Sequence, residues 1–166
     1  MKRNFEVTTT DGDKYWISRA MCVAVFLFAE HNNQIYVLAN KRGEGSPNFP
    51  HFWNCPAGYL EWDETIKECC KREVYEETGV EISTSDLHMI SLNDNPNEAN
   101  QNVTFRFTGL TEYVENLSVK NRGGEEDEVE EIKFIPVNDL GQFDWAFNHD
   151  NLIKKALQYL EKHNLI

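Results

Sequence analysis

Glu73, Glu76 and Glu77 follow directly on Arg72, and Glu64 precedes that arginine by eight positions. On a helix turning about 100° per residue, Glu76 and Glu77 project about 60° and 40° to either side of Glu73. Three carboxylates therefore share one narrow arc. Like charges at that spacing repel by about a few tenths of a kcal/mol per pair. A hard cation with oxygen ligands would relieve the repulsion, and Mg²⁺ takes such ligands while recruiting substrate phosphates to complete its octahedron. The alternative is a solvated acidic face, the commoner fate of a glutamate cluster on a helix. Residue type and spacing alone leave both readings open.

A helix has to hold these side chains, and its limits are written locally. Thr65 followed three residues later by Glu68 forms a capping box, which predicts a helix start. Gly79 supplies the left-handed residue that commonly ends one. No glycine or proline lies between them. With Gly58 ahead of the helix, the stretch reads as a strand–loop–helix unit.

The whole segment 58–80 resembles the signature of the Nudix hydrolase family, G-x5-E-x7-R-E-U-x-E-E-x-G-U, where U is a bulky aliphatic residue. Gly58, Glu64, Arg72, Glu73, Val74, Glu76, Glu77, Gly79 and Val80 fill all nine defined places. The resemblance implies an α/β fold, the Nudix α/β/α sandwich with a mixed central sheet. It also implies a metal-dependent hydrolase that cleaves a nucleoside diphosphate linked to another moiety, with Mg²⁺ or Mn²⁺ as cofactor. By the same analogy Glu73 and Glu77 are the principal metal ligands, Glu76 ligates or orients a water, and Gly58 joins the metal set. Glu64 reaches a second metal or a water, and Arg72 pairs with a motif glutamate. Family members differ over the general base, so Glu77 and Glu128 both stay open, with Glu125 behind Glu128. Arg42, at a strand exit where the family often carries a basic residue, is the candidate for substrate phosphate.

Two positions depart from the pattern: Pro56-Ala57-Gly58 replaces Pro-Gly-Gly, and Asp63-Glu64 replaces Gly-Glu. Neither touches a charged motif position. Pro96, 16 residues beyond Val80, and the segment 145–150 (WAFNHD) resemble the ADP-ribose-cleaving branch, favouring ADP-ribose or a nucleotide sugar as substrate. Three alternatives stand beside this. One is a nucleoside triphosphate pyrophosphohydrolase. Another is an isomerase of isopentenyl diphosphate type using Cys55. The third is a nucleotide-binding module without turnover.

The rest of the chain must supply the sheet. Residues 20–29 form a continuous apolar run and are expected as a buried strand, paired across a turn with 34–39. Further strands are expected at 86–91, 102–113 and 132–137, and a closing helix at 150–162, with His149 at its start rather than in catalysis. Residues 1–19 read as an N-terminal arm or hairpin in which Tyr15, Trp16 and Ile17 pack; Trp53 is expected to be structural. At 166 residues the expectation is one domain, 1–166. A net charge of −12 argues against binding nucleic-acid backbones or an anionic membrane. A phosphorylated small molecule remains compatible, because bound cations invert the local electrostatics. Four cysteines without C-x-x-C spacing read as free thiols, and with no signal peptide a reducing cytoplasm is expected. Homodimers are frequent among proteins resembling this one.

Overall fold

The computed structural model describes residues 3–98, 101–119 and 127–166. Strands β1 (Phe5–Thr8) and β2 (Lys14–Ile17) pair antiparallel as a separate ribbon. They turn through Gly12, whose φ of 91° suits a residue without a Cβ. Tyr15, Trp16 and Ile17, expected from the sequence to pack, are instead exposed, Trp16 by 71%. The ribbon pairs with itself and not with the main sheet, so its apolar residues find little to cover them. Tyr15 meets Trp62 edge-on at 5.5 Å.

The main sheet is built on β3 (Ala20–His31). Its apolar run is continuous because both of its faces are buried, as expected for a strand between two helical layers. Ala24, Phe26 and Phe28 pack toward the C-terminal helix α2 (His149–Lys162), against Leu152, Ile153, Ala156 and Leu160. Val23, Val25 and Leu27 pack toward α1 (Ile66–Thr78), against Cys69, Cys70 and Val74. The period-2 alternation of one strand thus divides the core into two layers. The α/β/α sandwich implied by the family resemblance is the fold observed.

β3 turns through Asn32 and Asn33, both left-handed, into β4 (Gln34–Arg42). The pair holds together only near the turn, from Phe28↔Val37 to His31↔Gln34. Beyond it the two strands part, and the segment 53–59 fills the wedge. Its first half, β5 (Trp53–Asn54), pairs with β4, and its second half, β6 (Ala57–Tyr59), pairs with β3. β7 (His88–Asn93) and β8 (Asn102–Leu110) extend the other edge, with β8 parallel to β3 and the remaining pairs antiparallel. β9 (Val129–Pro136) lies antiparallel along β4. The sheet is therefore mixed, and the wedge is where the site is built.

Helix α1 begins and ends as its sequence signals predict. Thr65 and Glu68 form the reciprocal capping box, and Gly79 closes the helix at φ 72° with its N–H on the Tyr75 carbonyl. Asn102–Leu110 is shorter than the strand expected from 102–113, and β9 starts three residues earlier than expected, at Val129.

Candidate active site

The stripe of α1 that faces the core runs through Cys70, Glu73, Val74 and Glu77, an i, i+3, i+4, i+7 set. Two positions of a core-facing stripe are thus carboxylates. Glu73 is 7% exposed and Glu77 3%. They reach the sheet at the wedge between β3 and β4. The Glu77 carboxylate accepts the Ala57 N–H at 3.3 Å. The Glu73 carboxylate lies against Gly58 so closely that a Cβ added there would come within 2.0 Å of its Oε1. The family's motif glycine is required here for close approach, and Ala57, one of the two departures, still presents its N–H to the helix.

Arg72 organises the outer side. Its Nε and Nη2 donate to both oxygens of Glu64 at 3.0 and 2.7 Å, and its Nη1 donates to Glu73 and to Glu76, each at 2.8 Å. Nη2 also donates to the Tyr59 carbonyl at 2.9 Å, tying the helix to β6. The sequence expectation of one arginine–glutamate pair becomes one arginine holding three glutamates. The hydrogen bonds from Arg72 hold Glu64 down at about 2. Burial pushes Glu73 the other way, up to about 7, although the same guanidinium touches it. Glu77 is raised well above the ordinary carboxylate range, by burial first and then by the charges of Glu73 and Glu128. The low dielectric around Glu73 and Glu77 penalises their charged forms more than neighbouring hydrogen bonds favour them.

Arg42 and Glu128 converge on this inner pair. Both interact electrostatically with Glu77, and with each other. Register brings them there: Arg42 pairs with Val129 across a bulge in which Glu130 is the extra residue of β9. Bulges of this kind sharpen local twist and are common beside active sites. Gly43 then locks the turn, since its N–H donates to the Glu128 carbonyl at 2.8 Å and a Cβ would collide with the Asp127 carbonyl. Glu125, the second choice for a loop carboxylate, lies outside the described residues.

The donors fit a divalent cation in chemistry. They are all oxygen, they are acidic groups crowded in a poorly solvated place where a cation would favour their ionised forms, and Gly58 leaves room for a carboxylate on the strand backbone. Among the described residues no three acidic, histidine or cysteine groups are already drawn together as a finished cage. Glu73 and Glu76 are turned toward Arg72, and a cation would compete with that guanidinium for them.

His149, expected to start the last helix, does so while buried: its Nδ1 accepts the Cys55 N–H at 3.0 Å, pinning α2 to the wedge. Burial, then Arg106 and Arg42, lower it to about 3, so its ring is neutral and carries its proton on Nε2. Cys55 is fully buried, and its thiol is pushed well above its ordinary value by that burial. A buried neutral thiol is a poor fit to the nucleophile or acid that the isomerase alternative asks of it. All four cysteines are free and buried. Arg106, on β8, lies outside every motif in the sequence. It is half-buried and interacts electrostatically with Glu98, Cys22 and His149, and its pairing with Ala24 puts it on the α2 face of the sheet. An arginine alternating with Phe105 and Phe107 was the signal available for it.

Residues 18–156 match the sequence profile of the NUDIX domain. The chain belongs to the Nudix family. Among its Nudix relatives, the m7GpppN-mRNA hydrolase NUDT17 of Danio rerio is 32% identical over 71 residues, covering 43% of this chain and only 23% of that protein. The ADP-ribose pyrophosphatase of Methanocaldococcus jannaschii is 25% identical over 152 residues, covering 90% of this chain and 80% of the relative. The NUDIX domain of Shewanella oneidensis NrtR, solved with ADP-ribose, superposes with a TM-score of 0.72 at 25% identity, covering 87% of this chain and 90% of that one. NrtR has also been solved with a 27mer DNA, a match covering 86% of this chain and 62% of NrtR at 25% identity and a TM-score of 0.65. Family membership therefore does not itself speak against nucleic acid; for this chain that argument remains the charge of −12. No helix among the described residues is long and apolar enough to cross a membrane.

Proposed function

We propose that this Nudix protein hydrolyses the diphosphate bond of a nucleoside diphosphate linked to another group, with ADP-ribose or a related nucleotide sugar as substrate and Mg²⁺ as cofactor. The observation that carries the reading is the inner pair Glu73 and Glu77. Carboxylates occupy core-facing positions of α1, where packing alone calls for apolar side chains, and Arg42 and Glu128 converge on them. The similarity to an ADP-ribose pyrophosphatase over most of the chain, and to a domain solved with ADP-ribose, supports the choice of substrate.

Glu73, Glu76 and Glu77 would hold the metal, with Gly58 leaving space for the Glu73 carboxylate and Glu64 anchoring Arg72 behind them. When bound, Mg²⁺ neutralises phosphate oxygens and lowers the pKa of water. Arg42 places a permanent positive charge beside the same carboxylates, where it can take a phosphate oxygen and offset charge that develops during cleavage. For the proton of the attacking water the reading keeps two candidate acceptors open, Glu77 and Glu128. Arg72 keeps Glu64 ionised and holds Glu73 and Glu76 in place until a cation draws them away.

The test is a hydrolysis screen with and without Mg²⁺ over ADP-ribose, nucleotide sugars, NADH, dinucleoside polyphosphates and nucleoside triphosphates. A Glu76→Gln/Glu77→Gln double variant is the control. Mg²⁺-dependent cleavage of ADP-ribose or a nucleotide sugar, lost in the control, is the expected outcome. Cleavage of triphosphates alone would replace the substrate assignment. A second reading, ligand binding without turnover, draws on the NrtR domain solved with ADP-ribose. It would be favoured by tight ADP-ribose binding with silence across the whole panel.

A further inference from the structure

Phe49 and Phe147 lie almost a hundred residues apart in the chain, yet their rings meet edge-on at 5.0 Å. Each is 45% exposed. Both have left-handed backbones, at φ 52° and 56°, as do the neighbours His51 at 66° and Asn148 at 59°. A left-handed phenylalanine is disfavoured by its Cβ, and such outliers gather where a site needs a side chain held in place. Glycine or asparagine would relieve the strain, and burying the ring would offset it. Neither has happened at Phe49 or Phe147.

Their surroundings say what the rings face. The Arg42 guanidinium lies 5.1 Å from the centre of the Phe147 ring. Its Nε is fixed on the Asn48 carbonyl at 2.9 Å, and among the described residues its two terminal nitrogens have no acceptor. The same guanidinium interacts with Glu77 and Glu128. Rings, guanidinium and carboxylates are thus linked in that order through Arg42. A planar uncharged ring, an anion and a metal-bridged phosphate would match that order. The rings are held from behind: Phe49 against Phe52 at 5.6 Å, Phe147 against His149 at 5.8 Å, and Trp53 N–H on the Asp144 carbonyl at 2.8 Å.

We propose that Phe49 and Phe147 form the platform on which the nucleobase of the substrate stacks, with Arg42 taking the phosphate next to it. The inference rests on the functional reading above for its ligand class, and it assigns specificity to two residues outside the family signature. Stacking is sequence-tolerant because every base offers a π-face, so the platform selects for the presence of a base before its identity.

The experiment measures binding, which separates it from the question of turnover. The probes are AMP and ribose 5-phosphate, titrated into the wild type, Phe49→Asn, Phe147→Asn and Phe147→Leu. Asparagine tolerates the left-handed backbone, so the Asn variants are expected to melt no lower than the wild type. Leucine keeps apolar bulk without the π-face. The wild type is expected to prefer AMP over ribose 5-phosphate by about 10-fold, and each folded variant to lose most of that preference. A wild type without preference for AMP, or variants that retain it, would overturn the platform. If the preference is present and lost in the variants while no compound is hydrolysed, the platform stands and the hydrolase reading falls. If hydrolysis is robust and the variants leave KM for ADP-ribose as it was, the platform falls and the hydrolase reading stands.

Discussion

Glu64 and Glu73 touch the same guanidinium at nearly the same distance, 2.7 and 2.8 Å, and respond in opposite directions. Glu64 is held down at about 2, and Glu73 is raised to about 7. The partner is shared, so the difference comes from where each carboxylate sits. Glu64 lies in the loop ahead of α1, where Arg72 meets it with two parallel hydrogen bonds and the Glu61 N–H adds a third at 2.9 Å. Glu73 lies on the core-facing stripe of the helix and receives one bond from an arginine that it shares. A salt bridge alone does not determine the charge state: Glu64 is lowered by the number of hydrogen bonds that meet it, and Glu73 is raised by its place on the core face and by the charges of Glu76 and Glu128. The outer side of the site is an ion-pair network around Arg72, and the inner side holds two buried carboxyl groups whose charged forms are penalised.

The comparison can be broken most severely at Glu77. Glu77→Gln keeps shape and the Ala57 contact but removes the charge, and should lower kcat by about 10²–10⁴-fold with melting temperature maintained. Near-normal kcat in a folded variant would remove Glu77 from the chemistry. Arg72→Ala strips the shared partner from three carboxylates at once. In a chelator, urea unfolding should show a loss of about 3–5 kcal/mol, partly recovered by Mg²⁺. A loss below about 1 kcal/mol would mark the network as an ordinary surface pair. Gly58→Ala forces the Glu73 carboxylate off the strand, and a loss of about 1–3 kcal/mol with weakened Mg²⁺ activation is expected. Unchanged metal dependence would show that Glu73 does not act from that position.

The gentlest test is pH. A carboxylate lowered in the folded state adds stability above its ordinary value of 4.5, which is lost as pH falls toward 2; this is Glu64. A raised carboxylate does the reverse, and metal-free protein should lose stability as pH climbs from 4.5 to about 7 through Glu73, with Glu77 acting in the same sense. Melting curves in a chelator should therefore fall on both sides of a mildly acidic optimum. Glu64→Gln should flatten the acid limb and Glu73→Gln the neutral one. A neutral limb unaffected by Glu73→Gln would contradict the assignment.

What was legible beforehand was local. The caps of α1 and the arc of Glu73, Glu76 and Glu77 depend on spacings of a few residues, and they appear as expected. The burial of Glu73 and Glu77 depends on segment 53–59 entering the wedge between β3 and β4, which no local pattern encodes. Arg106 needed the parallel pairing of β8 to bring it to the α2 face. Phe49 and Phe147 needed the loop between β4 and β5 to meet the segment ahead of α2. The ribbon shows the converse failure: Tyr15, Trp16 and Ile17 have the residue types of a packing strand, but type does not say whether a partner surface exists.

The parallel register of β3 and β8, from Ala20↔Asn102 to Phe28↔Leu110, also constrains how the molecule comes into being. The Thr108 hydroxyl donates to the Phe26 carbonyl across 82 positions of chain. Helix α1, with its own caps, can gain helicity early from contacts within a few residues, whereas pairing of this span waits on a slow, non-local closure. After dilution from denaturant, helical signal should return first and hydrolysis later, in step with the closing of β3 on β8. Catalytic recovery would then serve as a clock for the slowest contact in the sheet.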